Sequence, residues 1–129
     1  GFFDKNFFIY LEEIDLCKSI KKKSGNIYFS KDLIIKHLGA KGSTARSHKE
    51  KIDADNLRNW HYMWSSFYFY KKNYNYFFAL VQLGGRLIRS FLKTIFYSIT
   101  FQKNKRNKYL FRLLGLTSSI LGLKSYFRI

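Results

Sequence analysis

Apolar and polar residues follow different rhythms in three stretches of the chain, and each rhythm predicts a different kind of element. Residues 1–42 read as compact α/β. Within them Glu12 to Lys23 carries acids in its first turn and Lys21, Lys22 and Lys23 in its last. Gly25 lies just beyond, so this segment predicts a helix. On it Leu16, Cys17 and Ile20 share a buried face with Glu13, because residues three, four and seven apart fall together. Asn26 to Phe29 and Leu33 to Leu38 are short β-rich runs separated by Ser30, Lys31 and Asp32. The second ends at His37-Leu38-Gly39, where a strand would release into a glycine-bearing loop.

Residues 40–57 are polar and aperiodic and predict a mobile loop. From Arg58 onward the pattern turns helical. Asn59 to Tyr76 is loaded with aromatics, and Phe77 to Phe101 is apolar with a basic stripe. Gln102 to Lys108 is a charged turn, and Tyr109 to Ile129 forms a second amphipathic segment. A membrane-spanning helix needs about 20 largely apolar residues in succession. Arg86, Arg89 and Lys93 interrupt the first candidate and Arg112 the second. The three basic residues of the first share one helix face, while Ile88, Phe91, Leu92, Ile95 and Ile99 occupy the other. That arrangement predicts a helix lying in a membrane surface. The alternative is a helix packed on a core with its basic face in water.

Charge sharpens this picture. The 129 residues carry a formal charge of +16. Residues 1–55 hold 11 basic and 8 acidic residues, whereas residues 56–129 hold 13 basic residues and no acid. An acid-free basic half expects an anionic partner, either phospholipid headgroups or nucleic acid. A single cysteine, Cys17, excludes an internal disulfide and fits a reducing compartment. The wealth of Lys, Asn, Ile, Phe and Tyr with no Pro is also what an AT-rich genome produces. The sequence opens on Gly with a motif-like stretch at once, and reads as a segment of a longer protein.

The candidate chemistry is concentrated at one place. Glu12, Glu13 and Asp15 put three carboxylates into four positions directly behind an aromatic run. Crowded acids repel one another. They are tolerated where a helix N-terminus, a metal ion or proton transfer gives them a purpose. Taken alone, they offset the helix dipole at about 0.3–1 kcal/mol each.

Three separated motifs then occur in order. They are GFFDKNFFIYLEEIDLCKSIKKKSGNIYF from Gly1 to Phe29, His37-Leu38-Gly39, and WHYMWSSFYFYKKNY from Trp60 to Tyr74. Together they resemble the C-terminal half of bacterial family 2 glycosyltransferases, in particular the rhamnosyltransferase-like branch. The resemblance covers Gly1 to about Tyr76. Beyond it, Phe77 to Ile129 is similar only in character, as a basic amphipathic tail.

The resemblance implies a GT-A fold, Rossmann-like α/β, with a nucleotide-binding half expected upstream of this chain. Residues 1–57 would be the acceptor-side catalytic part and residues 58–129 a helical tail at the membrane surface. It implies that Glu13 is the general base that deprotonates the acceptor hydroxyl, with Glu12 and Asp15 as supporting neighbours. It implies a divalent metal, Mg or Mn, with His37 as one ligand and the other ligands upstream. Trp60, His61 and Trp64 are candidates to line an acceptor site, since flat rings suit lipid and sugar alike. The sequence departs from the family pattern at Glu13, where many relatives have Asp, at Ser19 in place of Arg, and at Ala40 in place of Gly. Asp53-Ala54-Asp55 has metal-motif spacing but lies after the acid cluster rather than before it.

The expected function is sugar transfer, of rhamnose in the branch that the chain resembles, from a nucleotide-sugar donor to a lipid-linked or polysaccharide acceptor. The place is the cytoplasmic face of the plasma membrane, with the chain peripheral on an anionic surface and inactive alone. The alternatives are a non-catalytic basic membrane-surface module and a nucleic-acid-binding module.

Overall fold

A computed structural model describes residues 2–36 and 47–128, and among them every regular element is a helix. These are α1 (Glu12–Lys22), α2 (His48–Asn73), α3 (Tyr76–Ile99) and α4 (Lys103–Ile120). The expected Rossmann-like GT-A fold is therefore corrected: the described chain is all-helical, with no strand and no sheet. Of the β-rich runs read in residues 1–42, the described part, Asn26 to Phe29 and Leu33 to Lys36, has no regular structure, and Tyr28, Phe29, Leu33, Ile34 and Ile35 are exposed. The reason is physical. Strand propensity is realised only against a neighbouring strand, and no described segment offers one.

α1 forms where its charge pattern placed it, but its buried face differs from the expected one. Cys17 and Glu13 are exposed, and the buried residue of the helix is Asp15. Of the segment expected to be a loop, residues 48–57 are instead the start of α2, with Ser47 as its cap. Ser47 Oγ accepts from the Glu50 amide at 3.1 Å while a Glu50 carboxylate oxygen accepts from the Ser47 amide at 3.2 Å. This reciprocal capping satisfies two otherwise orphaned donors. The helix consequently runs across the boundary expected between residues 57 and 58.

α2, α3 and α4 form a three-helix bundle. Tight links at residues 74–75 and 100–102 make α3 antiparallel to both neighbours, and α2 and α4 run parallel. Asn75 starts α3 by accepting from the Phe78 amide at 2.7 Å. The core joins Met63 and Phe67 of α2, Ala79 and Leu83 of α3, and Leu116 of α4. Gly115 decides how closely α2 and α4 approach, because a Cβ there would sit 2.1 Å from the carbonyl oxygen of Trp60. The segment after α4 turns at Gly122 (φ +75°) and folds back along α2.

α3 is oriented against its own amphipathic pattern. Ala79, Leu83 and Ser90 face the bundle, whereas Phe77, Val81, Ile88, Leu92, Ile95 and Ile99 point away from it and are exposed. Arg86, Arg89 and Lys93 lie on the flank between the two faces. α3 therefore contributes Ala79 and Leu83 to the core, while Ile88, Phe91, Leu92, Ile95 and Ile99 are exposed. None of the described helices is long and apolar enough to cross a membrane.

Candidate functional site

The three clustered carboxylates are placed in three different environments. Glu13 is exposed in the first turn of α1. Glu12 is half-buried, and its Oε2 is shielded from solvent without a hydrogen-bond partner among the described residues. Such an orphaned buried acceptor costs about 1–3 kcal/mol. Asp15 is only 3 % exposed and is fully engaged. It accepts from Lys72 Nζ at 2.6 Å and from Asn73 Nδ2 at 2.8 Å.

The backbone entering α1 is unusual as well. Tyr10 (φ 71°) and Leu11 (φ 68°) are consecutive left-handed residues with side chains, and no side chain caps the helix. Each such residue costs about 1–2 kcal/mol. Strain of this kind concentrates at functional sites.

What holds this strained turn is a polar node that sequence reasoning missed. Lys72 Nζ also donates to Asp4 Oδ2 at 2.8 Å, and Tyr68 OH donates to the same oxygen at 2.9 Å. Asn6 completes the node, its amide nitrogens donating to Asp4 Oδ1 and to Tyr68 OH at 2.9 Å. Burial pushes the Asp4 carboxyl up, but the bonds from Lys72, Asn6 and Tyr68 outweigh it and bring the pKa to about 2. For Lys72, burial opposes the charge, yet hydrogen bonds to Asp15 and Asp4 raise its pKa above the ordinary value. The node ties residues 4–15 to the C-terminal end of α2, across more than fifty positions of sequence. The only sequence signal for it was the scarcity of acids, which makes Asp4 and Asp15 valuable partners for a basic chain.

The aromatic candidates belong to the interior. Trp60 is 1 % exposed, His61 is fully buried and Trp64 is almost so. Trp64 Nε1 donates to the Leu123 carbonyl at 2.9 Å, and Trp60 packs edge-on against Tyr126 at 5.2 Å. His61 Nε2 lies 2.8 Å from the Phe127 carbonyl and Nδ1 lies 3.1 Å from Ser125 Oγ. A carbonyl only accepts, so Nε2 carries the proton and Nδ1 accepts from Ser125. Burial lowers the His61 pKa; the Phe127 carbonyl opposes this and Arg128 adds to it. Leu123, Ser125, Tyr126 and Phe127 pack on these three residues, with Phe8 also on His61 and Tyr68 stacked on Trp64.

His37, the expected metal ligand, lies outside the described residues. Among those described, no three His, Cys, Asp or Glu side chains gather as a metal site. Asp53 and Asp55 lie within α2, where Asp55 pairs with Arg58 at 2.9 Å.

A second polar constellation was only half visible. Arg86 and Arg89 of α3, Arg112 and Tyr109 of α4, and Tyr62 and Ser90 surround a groove of about 350 Å³ between the three helices. Arg112 Nε donates to Asn59 Oδ1 at 2.8 Å, and Lys93 Nζ donates to Tyr109 OH at 3.1 Å. That bond from Lys93 lowers the pKa of the Tyr109 phenol, with burial opposing it. The sequence signalled the α3 arginines by their spacing and Arg112 as an interruption, but not that they meet.

Comparison with known proteins leaves the chain without a match. No protein-family model, no curated protein and no solved structure matches it.

Proposed function

We propose that this chain is the acceptor-side portion of an inverting glycosyltransferase working at an anionic membrane surface. What carries the reading is the division of labour within the acid cluster. Asp15 is held by Lys72 and Asn73 and fixes α1, which leaves Glu13 exposed on a strained, anchored turn. The unpartnered Oε2 of Glu12 beside it adds support, because an orphaned carboxylate oxygen next to a candidate base is costly without a use.

In this reading Glu13 takes the proton of an acceptor hydroxyl as its oxygen bonds to the anomeric carbon. The bond from that carbon to the nucleoside diphosphate breaks, and its electron pair leaves with the diphosphate oxygen. A carboxylate is needed because an alcohol is a poor nucleophile until a base within hydrogen-bond reach removes its proton. The acceptor is a lipid-linked or polysaccharide glycan, and the site faces the cytoplasmic leaflet. In the full-length protein, Glu13→Gln is expected to keep nucleotide-sugar binding and to lower sugar transfer at least about a hundredfold. Transfer at the unaltered rate ends the base assignment.

A second reading is favoured by a different observation. The outward apolar face of α3 suits a non-catalytic module that lies on lipid, whatever Glu13 does. Binding to anionic vesicles by a full-length protein that transfers no sugar decides for it. Binding to oligonucleotides with none to vesicles removes both readings.

A further inference from the structure

We propose that the groove between α2, α3 and α4 is a binding site for the phosphate or diphosphate group of a lipid. The inference is independent of any role for Glu13. Three arginines, Arg86, Arg89 and Arg112, line one groove of about 350 Å³, and no carboxylate lines it. Among the described residues neither Arg86 nor Arg89 forms an ion pair with an acid. Like charges gathered at one place repel, and a multivalent anion is what relieves them. Guanidinium forks match phosphate oxygens two at a time, and do so better than a point-like ammonium.

Two of the donors are pre-set. Asn59 holds Arg112 through Nε, which leaves the terminal nitrogens for a ligand. Lys93 donates into the oxygen of Tyr109, so the phenol's own proton is available to the groove. The volume suits a diphosphate better than a single small ion. Lipid is the favoured source because the groove opens on the flank of α3. The exposed face beside it carries Ile88, Leu92, Ile95 and Ile99. Headgroup phosphate in the groove and acyl chains under that face are the two halves of one docking mode.

The test uses the full chain with inorganic diphosphate and with phosphatidylcholine vesicles, plain or doped with phosphatidic acid. Two charge-matched variants are compared, Arg86→Gln with Arg89→Gln in the groove, and Lys103→Gln with Lys105→Gln outside it. The groove pair is expected to weaken diphosphate binding and doped-vesicle binding by at least roughly tenfold each. The outer pair is expected to lower both by less than about threefold, as screened surface charges do. Diphosphate should also displace the protein from doped vesicles. Equal losses in both pairs reduce the effect to net charge and overturn the site. Diphosphate binding without any groove-dependent vesicle binding overturns the lipid source. Equal competition by an oligonucleotide does so too.

Discussion

The bundle of α2, α3 and α4 and the N-terminal region before residue 37 use opposite means of holding together. In the bundle, Phe67, Leu83 and Leu116 are withdrawn from water altogether, and backbone contact at Gly115 sets the spacing. In the N-terminal region Ile34 is 94 % exposed, and Phe2, Tyr28, Phe29 and Ile35 are also in solvent. Among its described residues Phe7 is the one buried hydrophobic. That region is attached through the ionic and hydrogen-bonded node around Asp4, Asp15 and Lys72 and through three rings, Phe7 on Tyr68, Phe8 on His61 and Tyr10 on Tyr62. The contrast teaches that apolar content does not by itself make a core. Apolar residues are buried only where a second apolar surface arrives, as Tyr68 does for Phe7, and the polar node supplements that attachment where little apolar surface meets the region.

The contrast breaks most severely at the core. Phe67→Ala should cost about 3–5 kcal/mol in chemical denaturation, through lost burial and the cavity left behind. Gly115→Ala should cost about 3 kcal/mol by forcing α2 and α4 apart, since the added carbon has no free space beside Trp60. A smaller loss would mean that the two helices slide readily.

Lys72→Met tests the other region. It leaves the Asp15 carboxylate buried with only Asn73, at a cost of about 2 kcal/mol, below that of fully buried pairs because Lys72 is one-third exposed. Proteolysis should then cut before residue 37 while α2–α4 keep their helical signal. Loss of both regions together would show that the node also supports the bundle.

Acid should separate the regions in the same order. The folded pKa of Asp4, about 2, lies below its ordinary 3.8. Its contribution is therefore complete above pH 3.8 and is lost as pH falls toward 2, by at most about 2 kcal/mol. His61 is also depressed, below 6.5, so its burial favours folding above that pH and less so below it. His61→Gln should flatten the bundle's stability between neutral and mildly acid pH. Asp4→Asn should flatten only the attachment of the N-terminal region.

The smallest effects are expected where side chains are already in water. Ile34→Lys and Glu13→Gln should each change stability by less than about 0.5 kcal/mol. A larger loss from Ile34→Lys would mean that the segment is covered in solution.

Local chemistry announced much of the helical structure. The charge gradient of α1 placed it within one residue, and the Ser47 to Glu50 pair marks the start of α2 although polar composition suggested a loop. Asn26 to Phe29 shows why the rest was hidden. Its β propensity is real, but a strand is a relation between two segments, and one segment carries half the information. Trp60, His61 and Trp64 were ambiguous for the same reason, since a ring that suits a ligand suits the chain's own C-terminal residues equally well.

The sequence alone determined the acid cluster, the acid-free basic half and the two faces of α3. These are properties of residue order and helical period. Which face of α3 turned inward, which carboxylate of the cluster was fixed, and which arginines met were decided only in three dimensions. Periodicity defines a face without assigning it a neighbour. Choosing among Glu12, Glu13 and Asp15 required Lys72 and Asn73, more than fifty residues away, to reach one of them and leave the other two.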